Sequence, residues 1–461
     1  MKKPHSASNR KALAWLSILA FFSVLNETVF NVALPDISVH FGIAPAAANW
    51  VNTGFILSFA IGTAVYGKLA DVYGLKKLLL FGLVTYGTGS LIGLLFHSWF
   101  SVLLIARFIQ GAGASAVPAL IMVMVARYIA PENQGKAFGA VGSVVALGEG
   151  VGPVIGGIVA DYIHWSYLFA LPMITLLSLP FFLRTLPREP GAKGKIDLLG
   201  ASLLSLGIVM FTVFTTRYHW GYLAASTLFF IGFALRIRHA RSPFIEPGLF
   251  GRKKYIVGVL TGGVQLGTVA GFISMVPYMM RDVHQLATSL IGGGILFPGT
   301  MSVILFGVVG GVLVDKRGPI FAMLAGLCLI AAGFLLISLF PDRSPWLIAG
   351  ALVLTFGGLS FVKTVVSTCV AEALAPEEAG SGMGLLNFFC FLAEGIGVSV
   401  VGGLLTKRWL DFPALPTVTD TVAFLYSNMA LLFIAAVLLG GGMFACAYRR
   451  RPGASEGAAE Q

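Results

Sequence analysis

Residues 126–152 read ARYIAPENQGKAFGAVGSVVALGEGVG, and residues 371–397 read AEALAPEEAGSGMGLLNFFCFLAEGIG. At an offset of 245 the two align without a gap, and 10 of the 27 positions are identical. The identities include Ala-Pro-Glu at 130–132 and 375–377, and Glu-Gly-x-Gly at 149–152 and 394–397. At nearly the same offset, Gly-x-x-x-Asp at 67–71 meets a second copy at 311–315, each followed three residues later by a glycine, Gly74 and Gly318. The repeat predicts a chain made of two like halves, roughly 1–190 and 250–461.

What the halves are made of follows from composition. The 461-residue chain is 57% hydrophobic and 11% charged, with a mean hydropathy of +0.88. That is too apolar for a surface facing water. Fourteen apolar stretches of about 20 residues recur from 12–34 to 425–447, each long enough as a helix to cross a hydrocarbon core. The predicted fold is therefore all-α and membrane-integral. It has a six-helix half at 1–190, two inserted helices with linkers at 191–250, a second six-helix half at 251–448, and a cytoplasmic tail at 449–461. Parallel halves of this kind suit a carrier that rocks around a midplane site.

The surplus of +11 charges invites a nucleic-acid reading, but the placement of the basic residues argues against it. With 24 of the 31 Lys and Arg residues on the side of the amino terminus, the chain obeys the positive-inside rule, which puts both termini in the cytoplasm. Only Arg217, Arg281, Arg343, Lys407 and Arg408 fall opposite, and Arg107 and Lys363 lie within spans. The first apolar run contains Glu27 and lacks a small-residue cleavage site, so it reads as an uncleaved span. Cys328, Cys369, Cys390 and Cys446 sit in apolar runs without metal-ligand spacing, which supports neither a disulfide framework nor a zinc site.

Three acidic residues lie deep in predicted spans: Glu27, Glu149 and Glu394. An ionised carboxylate at the bilayer centre costs about 2.5–3.5 kcal/mol, so such groups face a cavity or a partner. A desolvated acid is also suited to taking up and releasing protons, as a proton-coupled carrier requires. The alternative is a paired or neutral glutamate that only fixes helix packing. Arg107 and Lys363 are the candidate counter-charges, and the sequence leaves open which acid each meets.

Around Glu149, Gly148, Gly152 and Gly156 recur every four residues, placing a smooth stripe on one helix face where another helix can approach. Pro153 favours a bend. Gly67, Asp71 and Gly74, with Asp315 in the second copy, form short turns. A carboxylate there can latch onto a helix N-terminus or a basic group, or can merely be solvated. Asp197 stands at the start of the seventh span and can cap it.

These segments resemble the signature motifs of the major facilitator superfamily in order and position. They are the 67–74 loop, ARFIQGAGASA from Ala106, and GEGVGPVIGG at 148–157. Fourteen spans point to its drug/proton antiporters. The stretches at 21–37, 49–71, 274–286 and 297–311 are similar to the Gram-positive tetracycline/proton antiporters. Asn26 stands where the wider group usually has Asp, with the acid one residue on at Glu27, and Val72 replaces a common basic residue.

The resemblance implies a bacterial plasma-membrane protein that exports a complex of tetracycline with a divalent metal such as magnesium, driven by the proton gradient. It also implies possible exchange of sodium or potassium for protons. Glu27, Glu149, Glu394 and Asp197 would carry substrate or coupling roles, with Arg107 as basic partner. The metal would arrive with the substrate, leaving no fixed metal site and no resident cofactor. No obligate protein partner is evident. A monovalent-cation/proton exchanger and a broader multidrug carrier are the other readings. Neither a P-loop nor an acid/base pair in a soluble domain points to an enzyme.

Overall fold

The computed structural model describes residues 6–128, 131–185, 197–240, 245, 247–374 and 379–448. Fourteen helices in this set are long and apolar enough to cross a membrane, and the described residues contain no β-strand. In chain order they are α1 (Ser17–Phe41), α2 (Pro45–Ala70), α3 (Leu75–Leu95), α4 (Phe100–Ile121), α5 (Ser143–Tyr162), α6 (Trp165–Arg184) and α7 (Leu198–Arg217). The rest are α8 (Trp220–His239), α9 (Lys253–Asp282), α10 (Thr288–Arg317), α11 (Pro319–Leu339), α12 (Pro345–Glu372), α13 (Gly382–Lys407) and α14 (Thr421–Tyr448). The first span runs further than hydropathy predicts, to Phe41 rather than residue 34. Asp36, a charge that should end it, is covered by Arg281 and Thr288 from the second half.

The repeat in the sequence is a repeat in the packing. Helix α5 lies closely on α1, and its counterpart α13 lies equally closely on α9. A side chain at Gly148 or Gly156 would run into the backbone of α1 at Phe21 and Val29, while one at Gly152 would meet the Thr28 hydroxyl. In the second half Gly267 and Gly271 face the carbonyls of Ala393 and Gly397. With no hydrophobic drive between helices in lipid, such close approach is what glycine stripes supply through van der Waals contact. Pro153 sits inside its helix without ending it. The turns after α2 and α10 pass through Gly74 (φ 78°) and Gly318 (φ 83°), a left-handed conformation that any side chain would strain.

Of the inserted pair, α7 packs on the outside of α13 and α8 packs on α7. Thr215 and Thr216 meet Ser399 at 3.1 and 2.6 Å, and the Trp50 indole N–H donates to Thr216 at 3.2 Å. Only 6% of the apolar window of α8 is buried, against 61% for α1, α9 and α13, which places α8 at the lipid-facing edge.

Candidate functional site

A cavity of about 320 Å³ lies between the halves, walled by α1, α2 and α5 from one side and α9, α10, α12 and α13 from the other. The charge pattern decides its character. Glu27, Glu149 and Glu394 all line it, together with Lys363. The Lys363 ammonium lies 3.9 Å from Glu149 Oε1 and joins the two halves at mid-depth, with side chains 41% and 34% exposed. Among the described residues neither Glu27 nor Glu394 forms an ion pair, so the lining sets three carboxyl groups against one ammonium group.

The rest of the wall mixes amides and hydroxyls (Asn31, Asn52, Asn387, Thr300) with two aromatic rings, Phe356 and Phe391. A few directed polar groups on an apolar wall are typical of small-molecule sites, and the volume stands near the lower end of their range. The lining extends through Val145, Ser367 and Leu386 toward the end of the bundle that carries the chain termini.

The other end, here called distal, is laced shut between the halves. Asp36 accepts from the Arg281 guanidinium and, at 2.8 Å, from the Thr288 hydroxyl. The Tyr278 hydroxyl donates to Asn49 Oδ1 at 3.0 Å, and Asn49 Nδ2 donates to the Val398 carbonyl at 3.1 Å. The Ala46 N–H donates to Thr406 Oγ1 at 2.9 Å.

Arg107 lies outside this cavity. It is fully buried, its guanidinium held between the Phe30 and Phe55 rings at 4.1 and 4.3 Å from their centroids. It donates to the Val51 carbonyl at 2.8 Å, Gln110 Oε1 at 3.1 Å, and Asn26 and Asn52 Oδ1 at 3.4 Å. Neutral oxygens and ring faces thus satisfy the cation, and the basic partner of Glu149 is Lys363 instead. Asn52 also donates to Asn31 at 3.4 Å, which ties the buried arginine to the cavity wall.

Asp197 is likewise not among the cavity residues. It caps α7 through Gly200 N at 3.1 Å and pairs with Arg236 at the end of α8 at 3.0 Å, closing the inserted hairpin on itself. Gly152 and Gly156 lie on the α1–α5 seam, and Pro153 borders the cavity. Gly67 and its counterpart Gly311 have open space where a side chain would stand, and Asp315 is exposed. The Asp71 side chain and residues 449–461 lie outside the described residues. Asn31, Asn52 and Asn387 carry no sequence signal beyond being amides in apolar runs, and their role as lining emerges only from packing.

The family model described as Major Facilitator Superfamily matches residues 16–398. A multidrug resistance protein of Bacillus subtilis (strain 168) is 28% identical over 416 residues, 87% of this chain and 80% of its own length. A puromycin resistance protein of Streptomyces alboniger is 25% identical over 437 residues, covering 90% of this chain and 86% of its own. Among solved structures, a nucleoside transporter superposes with a TM-score of 0.64 at 14% identity, covering 95% of this chain and 100% of that one. A bacterial homologue of a human lysosomal transporter, in an inward-facing and unoccupied conformation, also gives 0.64, at 15% identity over 97% and 98%. These likenesses carry the fold.

Proposed function

The chain belongs to the major facilitator superfamily, and on that premise we propose that it is a proton-coupled exporter of tetracycline-type drugs in a bacterial cell membrane, with both termini in the cytoplasm. The observation that carries the reading is one cavity holding three carboxylates against a single lysine, between two halves that are laced together at the distal end. An acid-rich pocket of this kind favours a cationic cargo, and a tetracycline bound to a divalent metal is one. Phe356 and Phe391 offer flat apolar surface to its fused rings.

Coupling follows from competition. A protonated glutamate holds no cation well, so cargo loading from the cytoplasmic side and protonation from the other exclude one another, and the inward proton gradient drives export. The metal travels as part of the substrate. The drug-resistance relatives support the drug class. The carboxylates would also attract bare sodium or potassium, so exchange of these ions for protons belongs to the same proposal.

Proteoliposomes carrying an imposed proton gradient provide the test. Tetracycline flux is expected, rising with added magnesium and falling when the gradient is collapsed. Sodium-driven proton movement with no tetracycline-dependent flux would replace the drug reading by a cation exchanger. Flux of chemically unrelated cationic drugs at equal rates would replace it by a multidrug carrier.

A further inference from the structure

At the distal end a second cavity, of about 290 Å³, opens between the halves. One lip is Ala44 and Pro45, at the entry to α2. The other is built by the ends of α9 and α13 and the start of α14. The lips touch at its floor, where the Ala46 N–H meets Thr406 Oγ1 and the Tyr278 hydroxyl meets Asn49. The cavity in this form therefore exists only while the distal ends are together.

One acid and one base line it, Asp282 and Arg408, and they are not paired with each other. The Asp282 carboxylate accepts from the Tyr426 hydroxyl. The two arginines nearby are spent elsewhere. Arg408 forms a fork on Asp411 at 2.7 and 2.8 Å, and Arg281 is paired with Asp36. Among the described residues no basic group forms an ion pair with Asp282. The rest of the wall is made by Pro45, Leu405, Val422 and Leu425 with the rings of Tyr278 and Tyr426, and by the polar residues Thr406 and Arg408.

We propose that this distal cavity is a binding site for a small organic monocation with a compact apolar or aromatic body, its charge on Asp282 and its body between Pro45 and the Leu405–Tyr426 wall. A carboxylate beside aromatic faces suits such a ligand through charge-assisted contact and cation–π attraction. Because the ligand touches both lips, it binds the closed distal end better than the parted one. It therefore shifts the carrier toward that state by its difference in affinity for the two. Occupied from the distal side, the site is an inhibitory one, distinct from the acid cavity at mid-depth.

The full-length protein in lipid nanodiscs, titrated calorimetrically with benzyltrimethylammonium chloride, tests the site without reference to transport. In a Glu149→Gln background, which removes charge from the central cavity, saturable binding is expected, weakened at least tenfold by Asp282→Asn and changed less than threefold by Asp282→Glu. Benzyl alcohol, a neutral aromatic probe, is expected not to saturate in the same range. Val422→Lys, on the exposed rim, leaves the Asp282–Tyr426 bond intact and is expected to repel the probe at least tenfold, so the test survives a poorly folded Asp282→Asn. Retained affinity in Asp282→Asn or in Val422→Lys would overturn the proposal.

Discussion

Replacing Glu149 by Gln and, separately, Lys363 by Met should move cargo affinity in opposite directions. A monocation about 5 Å from a carboxylate gains about 3 kcal/mol at an effective dielectric constant of about 20, and about 1 kcal/mol in bulk water. The Glu149 side chain is 34% exposed and so lies between those limits. Losing its charge is expected to weaken a cationic magnesium–tetracycline complex by about 5- to 150-fold, at about 1.4 kcal/mol per decade. Lys363, 3.9 Å from the same carboxylate, competes with the cargo for it. Removing the ammonium should tighten binding by a comparable factor and slow cargo release. Equilibrium binding to purified protein, followed by tetracycline fluorescence at about pH 8 and two salt concentrations, reads both effects well above the ordinary carboxylate range. A Glu149→Gln variant within twofold of the parent would refute the charge argument. Weakening by both variants would instead mean that the pair serves only to hold the halves in place.

The glycine seam makes a ranking. Gly156→Ala presses a methyl group on the backbone of Val29 and is expected to destabilise the protein in micelles by about 1–3 kcal/mol, whereas Gly152→Ala meets the Thr28 side chain, Cβ and hydroxyl, rather than backbone at its closest approach, and should cost less. Denaturant unfolding of the two variants checks the order, and equal costs would contradict the assignment. At the distal end His164 caps the turn at 165–169 by accepting from Ser166 N at 3.3 Å through Nδ1. Burial, then the neighbouring His97 and His40, hold its pKa below the usual 6.5. The folded form thus favours neutral His164, so its contribution to stability is present above pH 6.5 and lost as pH falls through the lowered folded value. The thermal midpoint should drop over that window, and His164→Asn, which keeps a capping oxygen but does not titrate, should flatten the drop.

The fourteen spans were legible because lipid demands long apolar helices, and hydropathy reports that demand directly. The acids at 149 and 394 were legible because the repeat carries both. Their partners were not. Which helix faces meet across the midline depends on how two separately packed halves dock, and no spacing within either half encodes it. Lys363 therefore stood only as a counter-charge without an address. Arg107 looked like a cation in need of an acid, yet its needs are met by a carbonyl, three amide oxygens and two ring faces. Those groups come from α1, α2 and α4, and no spacing in the sequence shows that the three amides converge on one guanidinium. Asp197 was ambiguous because capping is a local signal and coupling is not. The local geometry prevails, with Gly200 and Arg236 taking the carboxylate.

The two halves are alike in their acids and unlike in their bases. At the offset of 245 that aligns Glu149 with Glu394, Lys363 falls opposite Pro118, and Arg107 falls opposite Leu352. Each half thus has one buried or half-buried cation with no counterpart in the other, and the two sit at different places. Arg107 is held in the first half by neutral contacts, behind the cavity wall that Asn52 helps to form. Lys363 is carried by the second half and engages an acid of the first, so it must let go whenever the halves rotate apart at that depth. A perfectly symmetric duplication would give each glutamate its own lysine and leave no net charge for a cargo. Breaking the symmetry leaves Glu394 and Glu27, among the described residues, without an ion pair beside a third acid whose partner lies across the interface between the halves. Such an arrangement can hold a cation in one state and surrender it in the other, which is the minimum chemistry that an exchanger of cations and protons requires.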